Sequence, residues 1–440
     1  MSINRKRLGA LLCVVAVGIA VASTAGAAQQ VEPGVTATTV TIGGTFPTGG
    51  IPTPASLYRT IPLAEQAYYD WVNTHGKVHG RDIIDTVVDD GYNPANTVPA
   101  VKDLVENQNV FAIVGSLGTA PGLATWTYLN NHKVPQVLLA TGDSYWGDCA
   151  ARAGFIAKPY CQAARPWTLG WQPDYPGEAR LYAKYILAHN ASPKVGILYQ
   201  NDAYGLNYRA AFRKVFAANS ALSDIVKEES YNVSDSSAVI GAHVAAIKGA
   251  GADTFAIFAT PSASITALAA SHALAFSPQV FLNNVSANRV FLLTAEGAAT
   301  CNSPCADGVI SSTYIKSNTV TPGDAGMQLA HDVIFATGNA FLQARFNAGD
   351  SNLIYGLASA WTFVDALKRA GINPTRVSLM NAMHTLTETP GFNTNPFVYP
   401  GMKVLTNSTH TFPMMQLQLQ KWNSSVHDWG TLGGVVFSGK

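Results

Sequence analysis

The chain has 440 residues, of which 48% are hydrophobic and 12% are charged, and its formal net charge is +1. This length accommodates two domains of ordinary size, and the composition is typical of a globular protein rather than a disordered one. So small a net charge provides no strong field for attracting nucleic acid or an anionic membrane surface, and we expect neither as a partner.

The first 27 residues are predicted to be a secretory signal peptide. Residues 5–7 are basic, an apolar run follows, and residues 25–27 read Ala-Gly-Ala, so we expect cleavage after Ala27 or Ala28. A short membrane anchor is the alternative. Cys13 lies inside the apolar run rather than at its end, so lipid attachment is not expected. Losing the three basic residues would change the net charge from +1 to −2.

Strand and helix patterns alternate after a short leader at 28–37. Strands are predicted at 40–46, 82–90, 110–115, 134–140, 194–200, 253–259 and 279–284. Helices are predicted at 61–76, 93–107, 121–132, 176–190, 205–219, 238–251 and 262–276. This alternation predicts parallel sheets with right-handed crossovers, and the strand count favours two sheets that divide near residue 170. No long uncharged apolar run follows residue 30, so no transmembrane segment is expected in the mature chain.

Four cysteines remain after cleavage, and an even number in an exported chain favours disulfides. Proximity in sequence suggests the bonds Cys149–Cys161 and Cys301–Cys305, although four cysteines allow three pairings. A zinc site is the rival interpretation. It is disfavoured because the two pairs lie far apart in sequence and neither has C-x-x-C spacing.

The third predicted strand ends in small and hydroxyl residues, GSLGTAPG at 115–122. Ligands of open parallel sheets bind beyond the carboxyl ends of the strands, where this stretch is expected. Thr119 has the character of an N-cap, and free N–H groups beside it would suit a carboxylate or another acceptor. Two interpretations stay open: Thr119 faces a ligand, or it only caps its own helix.

Several catalytic and cofactor motifs are missing from the sequence. No G-x-G-x-x-G opens a helix after the first strand, no P-loop is present, and the sequence around Ser116 lacks the glycine of a nucleophile elbow. His75 and His79 are separated by Gly76, which favours a polar turn over a metal site. We therefore expect no enzyme activity, no cofactor and no metal.

Five stretches resemble the type I periplasmic binding proteins of ABC transporters, in the leucine/isoleucine/valine-binding branch. They are YYDWVNTHGKVHGRDI, VDDGYNPANTVPAVKDLVENQNVFAIVGSLGT, VPQVLLATG, QPDYPGEARLYAKYIL and KVGILYQNDAYGLNY. The likeness runs from about residue 38 to 440 and is weaker near 290–350 and 390–440. It implies two Rossmann-like α/β lobes joined by three chain crossings, with a ligand cleft between them. Carried over, the first lobe is 38–171 with 285–390, and the second is 172–284 with 391–440.

The resemblance also implies a set of ligand contacts. In the first lobe they are Ser116, Gly118, Thr119, Ala140, Thr141 and Gly142, and in the second lobe Tyr204. The sequence departs from the family at Ala120-Pro121, where amino-acid binders have hydroxyls, and at Thr260, where they have an aromatic residue. It also departs at Asn284, where they carry the acid that pairs with the ligand ammonium.

The absence of that acid affects which class of ligand is expected. Asn284 would leave a buried ammonium without a counter-charge, so the ligand need not be a free α-amino acid. Asp174 and Asp202 are the candidates to replace the acid, although Asp202 serves equally well as a helix cap. Trp171, Tyr175, Tyr145 and Trp146 are candidates either for apolar cleft walls or for the core.

The resemblance implies an extracytoplasmic, non-lipidated, monomeric solute-binding protein of an ABC importer. It would capture a small polar or amphipathic molecule (an amino acid, an amide or a small organic acid) by lobe closure and deliver it to permease and ATPase subunits. The alternative is a ligand-sensing or regulatory protein of the same fold. An exported enzyme is a further rival, for which the sequence offers no defensible catalytic group. The sequence does not name the ligand.

Overall fold

The computed structural model describes residues 32–49, 57–147, 166–297, 301, 304–387, 394–407 and 412–437. The predicted signal peptide, Cys149 and Cys161 lie outside these residues. Within the described ranges, no helix combines the length and the apolar character needed to cross a membrane.

The first sheet contains five parallel strands in the order β2-β1-β3-β4-β5. Its strands are β1 (Thr39–Phe46), β2 (Asp82–Asp89), β3 (Ile113–Val114), β4 (Gln136–Leu139) and β5 (Thr168–Gly170). Its connecting helices are α1 (Thr60–Thr74), α2 (Pro94–Glu106) and α3 (Thr119–Asn131). Helix α2 begins where the sequence predicted. The side chain of Asn93 accepts a hydrogen bond from the N–H of Ala95, and Pro94 occupies the first helical position.

The second sheet contains seven strands in the order β12-β11-β10-β9-β8-β6-β7. The strands are β6 (Val195–Gln200), β7 (Ile225–Tyr231), β8 (Thr254–Phe258), β9 (Gln279–Leu282), β10 (Ile310–Thr313), β11 (Gln416–Asn423) and β12 (Asp428–Phe437). The helices α4 (Tyr175–His189), α5 (Ala203–Ala218), α6 (Ser237–Gly249), α7 (Pro261–Ala273) and α8 (Arg289–Glu296) pack on it. The expectation of parallel pairing holds for β6–β10. Strand β11 instead pairs in antiparallel fashion with both of its neighbours, β10 and β12.

Four later helices return to the first sheet. They are α9 (Ala325–Ala336), α10 (Ala340–Asn347), α11 (Ser351–Arg369) and α12 (Arg376–Met383), and they share one apolar core with β1 and α1. A Cβ on Gly356 of α11 would lie 2.3 Å from the carbonyl oxygen of Ile61, so only glycine allows α11 to approach α1 so closely. We call this sheet with α1–α3 and α9–α12 the first half, and the second sheet with α4–α8 the second half.

The chain passes between the two halves three times, after β5, after β10 and before β11. Ile310 of β10 pairs with Phe281 of β9 in the second sheet, although the sequence assigned 285–390 to the first lobe. Phe397 and Met402 lie in the core of the first half, although 391–440 was assigned to the second lobe. We therefore propose crossing points near residues 314 and 415 in place of 285 and 391.

Two smaller sequence predictions concern the leader and the disulfides. Part of the leader is bonded to the fold, because Thr41 donates its N–H to the carbonyl oxygen of Gly34 and Val35 bridges Val40. The Cys301–Cys305 disulfide is confirmed, with Cα atoms 5.9 Å apart in the loop between α8 and β10. The Cys149–Cys161 bond stays a prediction.

Candidate binding cleft

A cleft lies beyond the carboxyl ends of strands from both sheets. Its empty volume, open solvent included, is about 1080 Å³. The loops after β2, β3 and β4 line it from the first half, and the loops after β6, β8, β9 and β10 line it from the second. This is the position at which parallel α/β sheets bind ligands, because the carboxyl ends of their strands meet at one edge.

Five of the predicted contact residues line this cleft: Gly118, Ala140, Tyr204, Thr260 and Asn284. They come from both halves, four from loops or turns that follow strands and Tyr204 from the first turn of α5, and the fold brings them to one cleft. The hydroxyl of Tyr204 donates to the carbonyl oxygen of Ala259 over 3.0 Å, which fixes the ring in place.

Four other predicted contacts lie behind the lining. Ser116 accepts a hydrogen bond from the N–H of Thr45, and the Oγ1 atoms of Thr119 and Thr141 lie 2.6 Å apart. A Cβ on Gly142 would lie 2.4 Å from the carbonyl oxygen of Pro173, so this glycine permits a close chain approach rather than a ligand contact.

The interpretation of Thr119 as an N-cap is wrong. The N-cap position of α3 belongs to Gly118, whose φ of 110° is a conformation that favours glycine, and none of the described side chains caps the helix there. Thr119 is 1% exposed, and its hydroxyl is bonded to Thr141 instead.

The two aspartates proposed to replace the missing acid are both helix caps. Asp174 accepts a hydrogen bond from the N–H of Gly177 over 3.0 Å. Asp202 accepts one from the N–H of Tyr204, also over 3.0 Å, and burial raises its pKa. Neither lines the cleft, so the structure favours the capping interpretation for both.

The backbone beside Asn284 is held by a buried carboxylate that the sequence did not single out. Glu178 accepts hydrogen bonds from the N–H of Asn284 over 2.5 Å and from the hydroxyls of Tyr182 and Tyr208. Burial raises the pKa of Glu178, and these hydrogen bonds oppose that rise. Because its oxygens are occupied within the protein, Glu178 supports the loop rather than facing a ligand. The side-chain amide of Asn284 donates to the carbonyl oxygen of Ser312.

Tyrosines dominate the lining. Seven tyrosines of the described part of the chain border the cleft, namely Tyr58, Tyr92, Tyr175, Tyr204, Tyr314, Tyr355 and Tyr399. Burial raises the pKa of every one, so all carry their hydroxyl proton at neutral pH. Of these seven residues, only Tyr175 and Tyr204 were predicted from the sequence. The other five come from separate parts of the chain and carry no common local pattern.

The remaining aromatic candidates belong to the core. Trp171 is fully buried behind the lining, with its ring centroid 5.1 Å from that of Tyr355, and its Nε1 donates to Thr362. Tyr145 and Trp146 pack with Trp126 in a separate apolar cluster. Trp171 thus supports a cleft wall without forming it.

Arg289 and Lys316 line the cleft, and no carboxylate of the described residues does. Lys316 Nζ lies 2.5 Å from Asp324 Oδ1, so its charge is compensated inside the protein. Arg289 donates its Nε to the carbonyl oxygen of His427 and its Nη1 to that of Ala348. The cleft therefore offers polar donors and aromatic rings but no acid for a ligand ammonium.

Known proteins share this architecture. A branched-chain amino acid ABC transporter protein of Thermus thermophilus with bound valine is 16% identical, over 91% of this chain and 96% of that chain, with a TM-score of 0.73. A fatty acid ABC transporter substrate-binding protein of Thermomonospora curvata is 17% identical, over 92% and 94%, with a TM-score of 0.70. A solute-binding protein of an ABC transporter from R. palustris in complex with benzoate is 16% identical, over 91% and 98%, with a TM-score of 0.68. At these identities the likeness shows the fold alone.

No curated protein sequence matches the chain. A protein family described as periplasmic binding protein matches residues 39–426, which is most of the chain. The two α/β halves, the three passages between them and the cleft agree with that match. The chain therefore belongs to the periplasmic binding protein family and has its type I fold.

Proposed function

We propose that the protein is the exported solute-binding component of an ABC importer, which captures a small polar or amphipathic molecule and delivers it to a permease. The observation that carries this proposal is a cleft lined by loops from both halves of the molecule. Family membership and structural neighbours with valine, a fatty acid or benzoate as named ligands support it.

The mechanism is closure of the two halves on the ligand. A ligand shifts a conformational equilibrium only by its differential affinity for the two states, so it must contact both halves in the closed state. Ala140 and Gly118 supply first-half contacts, and Thr260 and Asn284 supply second-half contacts. The protein binds and releases its solute without altering it chemically, as befits a family of binding proteins.

Family membership and the predicted signal peptide support a site of action outside the cytoplasmic membrane. Periplasmic binding proteins work outside the cytoplasmic membrane, and the predicted cleavage after Ala27 or Ala28 would release the chain there. Mass spectrometry of the protein secreted by cells tests this step, because the mature chain is expected to begin at Ala28 or Gln29.

A solute screen tests the binding function. Amino acids, amides and small organic acids are screened by thermal shift, and every hit is followed by calorimetry and small-angle X-ray scattering. We expect one-to-one binding and a smaller radius of gyration with solute, because closure makes the molecule more compact. Ala140→Phe fills the cleft and is expected to abolish binding, whereas the exposed Ala218→Phe serves as the matched control. Binding that survives Ala140→Phe would contradict the assignment of the cleft.

Uptake separates import from sensing. Cells that lack this gene are expected to lose uptake of the labelled solute, and the wild-type gene is expected to restore it. Normal uptake in those cells, together with tight binding by the purified protein, would favour the sensor.

A further inference from the structure

Two buried hydrogen-bond donors of the cleft have no partner among the described residues. They are the hydroxyl of Tyr355 and the Nε1–H of Trp429, whose residues are 5% and 9% exposed. Indole N–H can only donate, whereas a phenol both donates and accepts. A buried donor left unsatisfied costs about 1–3 kcal/mol, so a ligand that supplies acceptor oxygens would stabilise both. Neither atom is accessible to solvent in this structure, so the ligand must reach them through a movement of neighbouring side chains or of the two halves.

A guanidinium is fixed beside one of these donors. Arg289 donates to the carbonyl oxygen of His427, two residues before Trp429, and to that of Ala348, shortly before α11, which carries Tyr355. Asp428 Oδ2 lies 3.9 Å from Arg289 Nε, so the two form an ion pair without a hydrogen bond, and the charge of Arg289 is partly compensated. Since a guanidinium has five N–H donors and two are used in these bonds, the others remain for an anion at this end of the cleft.

A ligand ammonium would find no counter-charge in the same cleft. The lining contains no carboxylate among the described residues, and Asp174, Asp202 and Glu178 are engaged in capping or internal hydrogen bonds. An uncompensated buried charge is strongly unfavourable, whereas a carboxylate meets Arg289 and the two donors.

The side chains in the walls of the cleft indicate the chemistry of the ligand body that would accompany the carboxylate. Tyrosine rings from both halves supply flat, amphipathic surfaces, and pairs of them already meet edge to face, as with Tyr175 and Tyr204 at 5.0 Å between ring centroids. Such surfaces suit an aromatic or extended apolar body.

We propose that the cleft takes an aryl-substituted monocarboxylate without an ammonium group. The carboxylate receives hydrogen bonds from Trp429 Nε1, Tyr355 Oη and Arg289, while the body of the ligand packs on the tyrosine rings. This inference rests on the proposed function and names the ligand class of the same cleft. The residues that would bind the carboxylate then lie on α8, α11 and β12 rather than in the loop at Thr119.

A matched ligand series tests the charge preference. The probes are 3-phenylpropionate, its neutral amide 3-phenylpropanamide, the zwitterion phenylalanine and the cation phenethylamine, each measured by calorimetry. We expect the carboxylate to bind most tightly and phenylalanine at least about tenfold more weakly, since one uncompensated charge costs more than about 1.4 kcal/mol. Tighter binding of phenylalanine or phenethylamine, or no binding of 3-phenylpropionate, overturns this inference. A different solute that binds in the wider screen would leave the proposed function standing.

Variants that remove the two donors test the proposed carboxylate contacts. Tyr355→Phe removes a hydroxyl that has no partner among the described residues, so it is expected to keep the melting temperature of the free protein and to weaken 3-phenylpropionate about fivefold or more. Trp429→Phe removes an N–H that likewise has no partner among those residues, but also part of a buried ring that packs on Trp422, so it is expected to lower stability as well as to weaken 3-phenylpropionate about fivefold or more. Trp422→Phe is the control, because its Nε1 already donates to Glu296 and its loss is expected to lower stability without selecting among the four probes. If both Tyr355→Phe and Trp429→Phe bind the carboxylate with unchanged affinity, these two residues do not bind it, and the proposed carboxylate contacts are wrong.

Discussion

The hydroxyl of Ser144 donates a hydrogen bond to Asn207 Oδ1 over 2.9 Å and thereby joins the two halves of the molecule. Ser144 follows β4 of the first sheet, and Asn207 lies in the second turn of α5 on the second sheet. A direct bond of this kind exists only while the halves are together, so under the proposed closure mechanism it would stabilise the closed state and not the fold of either half.

Asn207→Ala is therefore expected to weaken solute binding without destabilising the fold. A neutral hydrogen bond contributes about 0.5–1.5 kcal/mol, so the dissociation constant is expected to rise about two- to twelvefold in calorimetry. Asn219→Ala at the other end of α5 is the control, because among the described residues the Asn219 side chain bonds to the carbonyl oxygen of Val215 within its own helix end. Equal affinity in wild type and Asn207→Ala would show that this bond plays no part in closure.

The Thr119–Thr141 pair is expected to behave as one structural unit. Thr141→Val leaves the buried hydroxyl of Thr119 without its partner and is expected to lower the free energy of unfolding by about 1–3 kcal/mol. Thr119→Val is expected to cost less, because Thr141 still accepts a hydrogen bond from the hydroxyl of Tyr175 over 3.3 Å. The double variant removes both hydroxyls and is expected to lose less than the sum of the single losses. Urea unfolding of the four proteins measures this coupling, and strictly additive losses would contradict it.

Asp143 is expected to make stability depend on pH. It is fully buried, and burial raises its pKa to about 8. The folded chain then holds this proton more tightly than the unfolded chain, whose aspartate ionises near pH 4. The contribution of Asp143 to the free energy of unfolding therefore falls as pH rises from about 4 to about 8 and is constant above that. At about 1.4 kcal/mol per pKa unit, the total is at most about 5 kcal/mol.

Asp143→Asn tests this expectation. The variant is expected to gain stability relative to wild type as pH rises from 5 to 9, measured as melting temperature. Exposed Asp103 is the control, because its hydrogen bonds with Asn107 and Gln108 lower its pKa, so Asp103→Asn should show no such gain. A difference between Asp143→Asn and wild type that is the same at pH 5 and pH 9 would refute the assignment.

The Cys301–Cys305 disulfide closes a short loop in the second half. In the chain-entropy account, a loop of this length contributes about 2 kcal/mol, so Cys301→Ser/Cys305→Ser is expected to lower the free energy of unfolding by about that amount. Mapping of unreduced peptides is expected to show this bond together with Cys149–Cys161. A bond between the two pairs, or free thiols at Cys301 and Cys305, would contradict the assignment.

Local sequence signals predicted much of the fold in the part of the chain that ends with β9. The helix predicted at 93–107 forms over Pro94–Glu106, because Asn93 and Pro94 mark its start, whereas the strand predicted at 110–115 shortens to Ile113–Val114. The hairpin of β11 and β12 was missed, although the alternation of Gln and Leu at 416–420 is the period-two signal of a strand.

The candidate site was predictable only in part. The loops after β3, β4, β6, β8 and β9 could be placed because each directly follows a recognisable strand. Arg289, Tyr355 and Trp429 come from segments far apart in sequence, and Trp429 falls where the family resemblance is weak. Their convergence depends on packing between distant elements, which local patterns do not encode.

The three passages of the chain have a consequence for how a growing polypeptide matures. All five strands of the first sheet lie before residue 171, but its covering helix α11 is synthesised some 180 residues later. Strand β10 likewise gains its second neighbour only after β11 has been synthesised, because Ile310 of β10 pairs with Lys421 of β11. Neither half is a continuous piece of chain, so nascent protein exposes unpaired sheet edges until its last strands emerge, and both halves become complete almost together.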